Sequence, residues 1–406
     1  MRASHLTTIL LSLILPQSPA LAQPESPMKP DLAIRAMTFN IEDVRTSDLL
    51  TDTNPRLKKI AEIIQRLRPN ILLLNEIAYD APGYPDVPDD STPGSNAQRF
   101  VDLYLSVPQA DDLKPITFAT YMPPSNTGIH TNLDLDNDDR LVTTYPHPDP
   151  SDEFGNPSRQ TTDGRAYAND CYGFGTFPGQ YSMALLVDPR LTIDTDHIRT
   201  FQTYRWSDLP GASRPLNPDD TPYNTDHEWD ELRLSSKNHA DVPITLPNGA
   251  TLHALISHPT PPAFDGPEER NKRRNLDEIR FWNLYLQDST AIYDDHTTRG
   301  GLDPDAHFII MGDLNADPDE GSSFDNPIKK HLLTNHRLAD DPHPTSEIPI
   351  DRLDPDDTSR FRLRVDYVLP SEHLKVINTG IYRHGAGDHF PTDHFPVWIE
   401  LAVPAP

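Results

Sequence analysis

Seven stretches of the chain are apolar at nearly every position and end in polar or turn-forming residues. They are LAIRAMTFNI (32–41), NILLLNEI (70–77), YSMALLVD (181–188), TLHALISH (251–258), HFIIMGDLN (307–315), RVDYVLP (364–370) and FPVWIELA (395–402). Runs of this length, rich in β-branched and aromatic residues, predict strands. Two segments switch to a helical period. NPRLKKIAEIIQRLRP places Leu57, Ile60, Ile63, Ile64 and Leu67 on one stripe, and NLDEIRFWNLYL does the same with Leu276, Ile279, Trp282 and Leu286. The second opens with Asn275 as N-cap and Glu278 three positions on, a capping-box pattern. Between these elements run long polar, proline-rich connectors such as 79–98, 145–165 and 208–228. No internal repeat is visible, and strands and helices interleave from residue 32 to the end. That order predicts one large α/β domain over residues 23–406, with long loops gathered above a site.

The strand ends carry the chemistry. TFNIED ends in Asn40 and Glu42, LLLNEI in Asn75 and Glu76, and LISHP in His258. IMGDLN ends in Asp313 and Asn315, which strand alternation would aim the same way. RVDYVL carries Asp366, and TDHFPV offers Asp393 and His394 just before a final strand. Any one of these is an ordinary turn residue; six such placements beside apolar runs point to a site.

Composition narrows the class. The first residues, MRASHLTTILLSLILPQSPALAQ, have a basic start, a short apolar run and Ala20-Leu21-Ala22, the pattern of a cleaved export signal over residues 1–22. Export to the periplasm or medium is therefore expected, and no later segment is apolar enough to span a membrane. The single cysteine, Cys171, excludes an internal disulfide and reads as a small packing residue. With 35 Lys and Arg against 62 Asp and Glu, the formal net charge is -27, a surface that repels long polyanions.

Glu76 and Asp393 are hard oxygen ligands suited to Mg²⁺ or Mn²⁺, with Ca²⁺ also possible; the absence of a Cys/His cluster argues against zinc. Asparagine amides donate to phosphoryl oxygens, and histidines supply charge or move a proton near neutral pH. Such a set suits attack of water on phosphorus. The order Asn, Glu, His, Gly-Asp-x-Asn, Asp-Tyr, then Asp-His before a Pro-Val strand resembles the endonuclease/exonuclease/phosphatase superfamily, over residues 32–402. The resemblance implies a four-layer sandwich, with two mixed β-sheets packed face to face, helices on both outer sides and a metal site at the strand ends. It also implies roles. Glu76 resembles the principal metal ligand, with Asn40 beside it and toward the phosphate; Asp393 lies near the metal; Glu42 stands where some members carry a second metal-side acid. His258 resembles the histidine on the scissile phosphate, Asp313 the group that orients or deprotonates water, and Asn315 a phosphate holder. His394 resembles the partner on phosphate or water, and Asp366 the aspartate that orients a catalytic histidine. Asn75 and Thr392 depart mildly from the family's usual Gln and Ser.

Two further features stand apart. Arg270, Lys272, Arg273 and Arg274 precede the second helical stripe, and Arg273 and Arg274 are candidates to hold a substrate phosphate. Asp134, Asp136 and Asp138 have calcium-loop spacing, although Asp139 and Tyr145 stand where the motif wants Gly and Glu. The expectation is a metal-dependent phosphoesterase acting on a small phosphodiester or phosphomonoester. The alternatives are an extracellular nuclease acting on DNA or RNA and a non-catalytic binding protein on the same fold.

Overall fold

The computed structural model describes residues 31–385 and 390–406. The export-signal reading of residues 1–22 lies outside them. Twelve strands, numbered in chain order, form two sheets. The first has the order β11 (Lys375–Ile381), β12 (Val397–Val403), β1 (Leu32–Val44), β2 (Ile71–Ile77), β4 (Met183–Val187), β3 (Ala119–Tyr121). The second runs β10 (Asp366–Pro370), β9 (His307–Asp313), β8 (Thr251–Ser257), β7 (His239–Thr245), β5 (Thr192–Ile193), with β6 (Arg199–Thr200) also paired to β7. Both sheets are mixed: β1 with β2 and β8 with β9 are parallel, and the other pairings are antiparallel. The helices are α1 (Pro55–Leu67), α2 (Asn96–Phe100), α3 (Thr162–Asn169), α4 (Asp226–Glu231) and α5 (Arg270–Leu286).

The two-residue period of a strand sorts the side chains into layers. On β1, Ile34 and Ala36 face the other sheet, whereas Met37, Phe39 and Ile41 face α1. On β9, Ile309 and Met311 face inward between the sheets, whereas Phe308 and Ile310 face α5. Both faces of these strands are therefore buried, which is why they read as continuous apolar runs rather than alternating ones. Face-to-face packing of two sheets with helices outside is the four-layer arrangement that the family resemblance implies.

Helix α1 starts at Asn54, whose side chain accepts from the amides of Arg56 and Leu57, with Pro55 in the first helical position. Its predicted stripe is buried. Helix α5 corrects the capping-box expectation. It begins at Arg270, so Asn275 and Glu278 lie inside it and are fully buried. The free amides of its first turn are met instead by Asp265, which accepts from Asn271 (2.8 Å) and Lys272 (3.0 Å). Asn275 Nδ2 donates to the carbonyls of Thr260 and Leu314, and Glu278 accepts the amides of Ser236 and Thr260, both at 2.6 Å. These residues tie the helix to the loops over the strand ends.

No described helix is long and apolar enough to cross a membrane.

Candidate active site

The rows of side chains between the sheets change character at one end. On β1 the row Ile34, Ala36 continues as Thr38 and Asn40; on β2, Ile71 and Leu73 lead to Asn75. On β8, Leu252, Ala254 and Ile256 lead to His258; on β9, Ile309 and Met311 lead to Asp313; on β10, Val368 leads back to Asp366. The candidate site is thus the polar end of the inter-sheet core. A polar group withdrawn from water costs about 1–3 kcal/mol if left unbonded, and these groups bond one another. Thr38 Oγ1 donates to Asn75 Oδ1 (3.1 Å), which also accepts the Asp313 amide (3.3 Å) across the sheet interface. Asn40 Nδ2 donates both to Glu76 Oε1 (3.0 Å) and to Asp313 Oδ2 (2.9 Å), so one amide joins carboxylates from the two sheets.

Backbone conformation at the site is unusual. Glu42, Asp43, Glu76 and Asn315 all adopt φ between 46° and 66°, left-handed values that side chains other than Gly seldom take. The Ser182 carbonyl accepts from both Glu76 N (2.7 Å) and Ile77 N (3.2 Å), a local bulge at the Glu76 position. Its carboxylate is held by Asn40 and by the Asp43 amide (3.1 Å). Asn315 corrects the alternation argument: β9 ends at Asp313, and Asn315 lies beyond it in the left-handed region. Its amide caps Asp313 Oδ1 (2.9 Å) and its side chain donates to Pro259 O (3.1 Å). Gly312 is required by proximity, since a Cβ there would stand 2.0 Å from Ser257 O.

Asp313 is the hub. Its Oδ2 lies 3.6 Å from His258 Nε2 and 3.7 Å from His394 Nε2, and His394 Nδ1 lies 2.8 Å from Asp366 Oδ2. Asp366 faces Asp313 across the β10–β9 ladder. Burial works against a charge on His394, but Asp366 and Asp313 outweigh it and hold the imidazole protonated well above its usual range. His258 goes the other way: burial, then Lys237 and His394, keep it neutral, and its Nδ1 has no partner among the described residues. Burial lifts the Glu76 carboxyl to about 7, with the Asp393 charge adding to it, and burial lifts Asp313 to about 6. Four groups with such divergent environments in one place mark a site able to hold and move charge.

Glu76, His258 and Asp313 offer ligand atoms within 4.8 Å of one another, as do Asp313, Asp366 and His394. A buried Asp313 and a half-buried Glu76, both resisting ionisation, with the His258 imidazole within reach of both, fit a hard divalent cation. Asp393 stands further out, its side chain 47% exposed, and its backbone carbonyl accepts the Arg360 amide (2.7 Å). Glu42 lies near Asp393, and burial followed by that charge raises its carboxyl. Most of these side chains (Glu76, His258, Asp313, Asn315, Asp393, His394) line one cavity of about 960 Å³; Asn40, Glu42 and Asp366 stand behind its wall.

The basic segment behaves differently from a phosphate-holding loop. Its residues form the first turns of α5. Arg270 and Arg274 line the cavity, but Arg270 donates to Leu135 O and pairs with Glu268, and Arg274 uses Nε and one amino nitrogen on the carbonyls of Leu234, Tyr172 and Arg233. Arg273 does not line it; it stacks over Phe324 at 4.8 Å and pairs with Glu269. A buried cation that sequence reasoning missed is Lys237, in the loop before β7; Arg165, an exposed residue, also lines the cavity. Lys237 lines the cavity and is 5% exposed, and its Nζ has one hydrogen bond among the described residues, a 3.4 Å contact to Pro259 O. Burial lowers its pKa against the pull of Glu278, Glu76 and Asp313. Cys171 also lines the cavity as a buried thiol donating to Tyr167 O. Asp134, Asp136 and Asp138 do converge, with carboxylate oxygens within 4.8 Å. Asp134 accepts the amides of Asp138 and Asp139, and Asp139 takes the positive φ of the position that the calcium motif gives to Gly.

A family model described as "Endonuclease/Exonuclease/phosphatase family" matches residues 37–394. The chain belongs to the endonuclease/exonuclease/phosphatase family. Members of this family are mostly hydrolases of phosphoester bonds and typically use divalent metals. No curated protein matches the sequence. Solved structures similar to it include an endonuclease/exonuclease/phosphatase from Beutenbergia cavernae, with 17% identity, a TM-score of 0.47, and coverage of 92% of this chain and 72% of that one. The human Nocturnin catalytic domain with bound sulfate has 15% identity and a TM-score of 0.47, covering 92% and 96%. Truncated Caenorhabditis elegans TDP2 has 13% identity and a TM-score of 0.43, covering 91% and 98%.

Proposed function

We propose that this member of the family is an exported phosphoesterase, dependent on Mg²⁺ or Mn²⁺, that cleaves a small phosphodiester or phosphomonoester by attack of water. The observation that carries this reading is the Asp313 carboxylate set between a neutral His258 and a His394 kept protonated by Asp366. Glu76 would hold the metal, with Asp393 and Glu42 on the same side, and the metal would supply Lewis acidity toward the phosphoryl oxygens. Asp313 orients the water and receives its proton. His394 offers Nε2–H to the charge that builds on the phosphoryl oxygens, and Asn315 and His258 add neutral donors. Asn40, expected to hold the phosphate, instead spends both amide hydrogens on Glu76 and Asp313 and positions those carboxylates. Lys237 brings an amine donor to the same space, where Arg273 pairs with Glu269 and Arg274 bonds backbone carbonyls.

The net charge of -27 favours a small ester over a polymer. A nuclease is the second reading, since nucleic acid would present the same phosphodiester. The test is a competition of kcat/KM for a phosphomonoester, a bis-phosphodiester and plasmid DNA, with and without each metal. Small esters should win per scissile bond; efficient plasmid nicking with negligible small-ester turnover would promote the nuclease. Glu76→Ala or Asp393→Ala should abolish turnover with the fold intact, and near-normal activity in either at saturating metal would reject the assignment. Export is tested by N-terminal sequencing of secreted protein, expected to begin at Gln23.

A further inference from the structure

Four phenylalanines leave more than a third of their surface in water, and three of them line the cavity that holds the candidate site: Phe174 at 39%, Phe264 at 94% and Phe361 at 47%. Large apolar side chains left in water at one place mark a contact surface rather than a packing accident. Each of the three is also presented by a pinned segment. Phe361 meets His394 edge-on, with ring centroids 5.3 Å apart, and its neighbour Arg360 donates its amide to Asp393 O. Phe264 has φ 61°, a strained value for a bulky residue. It stays there because both neighbours are tied to α5: Ala263 O accepts from Asn271 Nδ2 (2.7 Å), and Asp265 caps Asn271 and Lys272. Phe174 follows Gly173, where a Cβ would stand 1.8 Å from Ser236 O, so that loop is pressed against the residue preceding Lys237.

The rest of the wall continues the theme. Leu135, Trp206, Leu232, Pro261 and Leu363 add apolar surface to the same cavity. About 960 Å³ is room for a compact organic molecule and far too little for a duplex.

We propose that the substrate carries a ring-sized apolar group, aromatic by preference, next to its scissile phosphate, and that Phe174, Phe264 and Phe361 receive it. This rests on the phosphoesterase reading for the phosphate end, while the apolar end stands on the aromatic residues alone. Rings carried on pinned backbone have only two side-chain torsions to lose on contact, so they favour a flat apolar partner over a hydrated one such as glycerol or sugar.

The test compares two non-hydrolysable probes with the same charged head, phenylphosphonate and methylphosphonate, titrated calorimetrically into the full chain with saturating Mg²⁺. Phenylphosphonate should bind at least ~10-fold tighter, about what burying one ring supplies. Phe264→Ala and Phe174→Ala should each narrow that ratio at least ~3-fold while thermal unfolding stays two-state and near wild type. Equal affinities in the wild type, a ratio unmoved by both variants, or no binding of either probe at millimolar concentration would overturn the proposal. A parallel sedimentation assay with phosphatidylcholine–phosphatidylglycerol vesicles addresses a lipid surface as the partner. Vesicle binding that Phe264→Ala abolishes, with the phosphonate ratio unchanged, would reassign that ring and also overturn it. Because binding is read without turnover, a protein that prefers phenylphosphonate yet hydrolyses no ester would reject the phosphoesterase reading and keep this one.

Discussion

Metal binding should release protons in a pattern set by the two buried carboxyls. Burial, then Asp393, raises Glu76 from 4.5 to about 7, and burial raises Asp313 from 3.8 to about 6. A cation held by Glu76 beside Asp313 favours both charged forms and must displace the protons they carry. Both carboxyls are protonated below about pH 6, mainly Glu76 between about 6 and 7, and neither above about 7. The apparent dissociation constant for Mg²⁺ should therefore fall ~100-fold per pH unit below the first value and ~10-fold per unit between the two, then level off. From about pH 5 to 8 that is two decades plus one, roughly 4 kcal/mol of binding free energy. The same shifts fix the sign for the metal-free protein. Both folded-state values are raised, so their contribution to stability is fully present below the ordinary carboxyl range and is lost as pH rises through about 6 to 7. His394, also raised, adds in the same direction and loses its contribution at higher pH still. The Tm of metal-free protein should drop across that window, and Mg²⁺ should restore it most on the alkaline side. Calorimetric titrations near pH 5.5, 6.5 and 8, each in two buffers of different ionisation enthalpy, count the protons directly. A dissociation constant that is flat across this range, or proton release unchanged in Glu76→Gln, would refute the reasoning.

Asp366→Asn should lower kcat ~10- to 100-fold with KM little changed, since a buried charge-assisted hydrogen bond of about 1.5–3 kcal/mol orients His394. The pH profile of the variant should also show His394 titrating nearer neutrality, and an unchanged profile would argue against the pair. Lys237→Met should cost ~10- to 100-fold in kcat/KM, with partial rescue by Lys237→Arg; wild-type kinetics in Lys237→Met would remove this residue from the site. Glu278→Ala should destabilise the fold by roughly 2–6 kcal/mol in denaturant unfolding, because the amides of Ser236 and Thr260 lose a buried acceptor. Asp313→Asn and His258→Ala should act mainly on kcat, and a pure KM effect would contradict their roles.

Much of the architecture was legible because the central strands are buried on both faces and so announce themselves as apolar runs. All seven predicted strands form, and the polar ends of six of them meet at the site. What escaped has physical causes. Strand β7 contains Asp241 and Pro243, residues that argue against a central strand; Asp241 is satisfied there by His253 (2.7 Å) and Tyr285 (2.6 Å). Strand β11 is a half-exposed edge, and β5 and β6 span two residues each, too short for any period to show. The start of α5 was misread because its cap, Asp265, acts from outside the helix across several residues. Lys237 sits in a polar stretch with nothing local to mark it; its meaning arises only when β7 and β8 bring it beside Pro259. Phe174, Phe264 and Phe361 are scattered through the connectors, and only tertiary structure brings them into the lining of one cavity.

The Asn40 amide, shared between Glu76 and Asp313, makes the distance between the sheets a chemical variable. The layer that separates the sheets includes small residues such as Ala36 and Ala254, which carry no polar side-chain atom. Enlarging either one should detune the chemistry without touching a polar atom, much as shimming a hinge misaligns a lock. Lineages that share this arrangement would then be free to rebuild their loops and exchange one substrate for another. Changes in the small inter-sheet residues, by contrast, should persist only as matched pairs, one from each sheet.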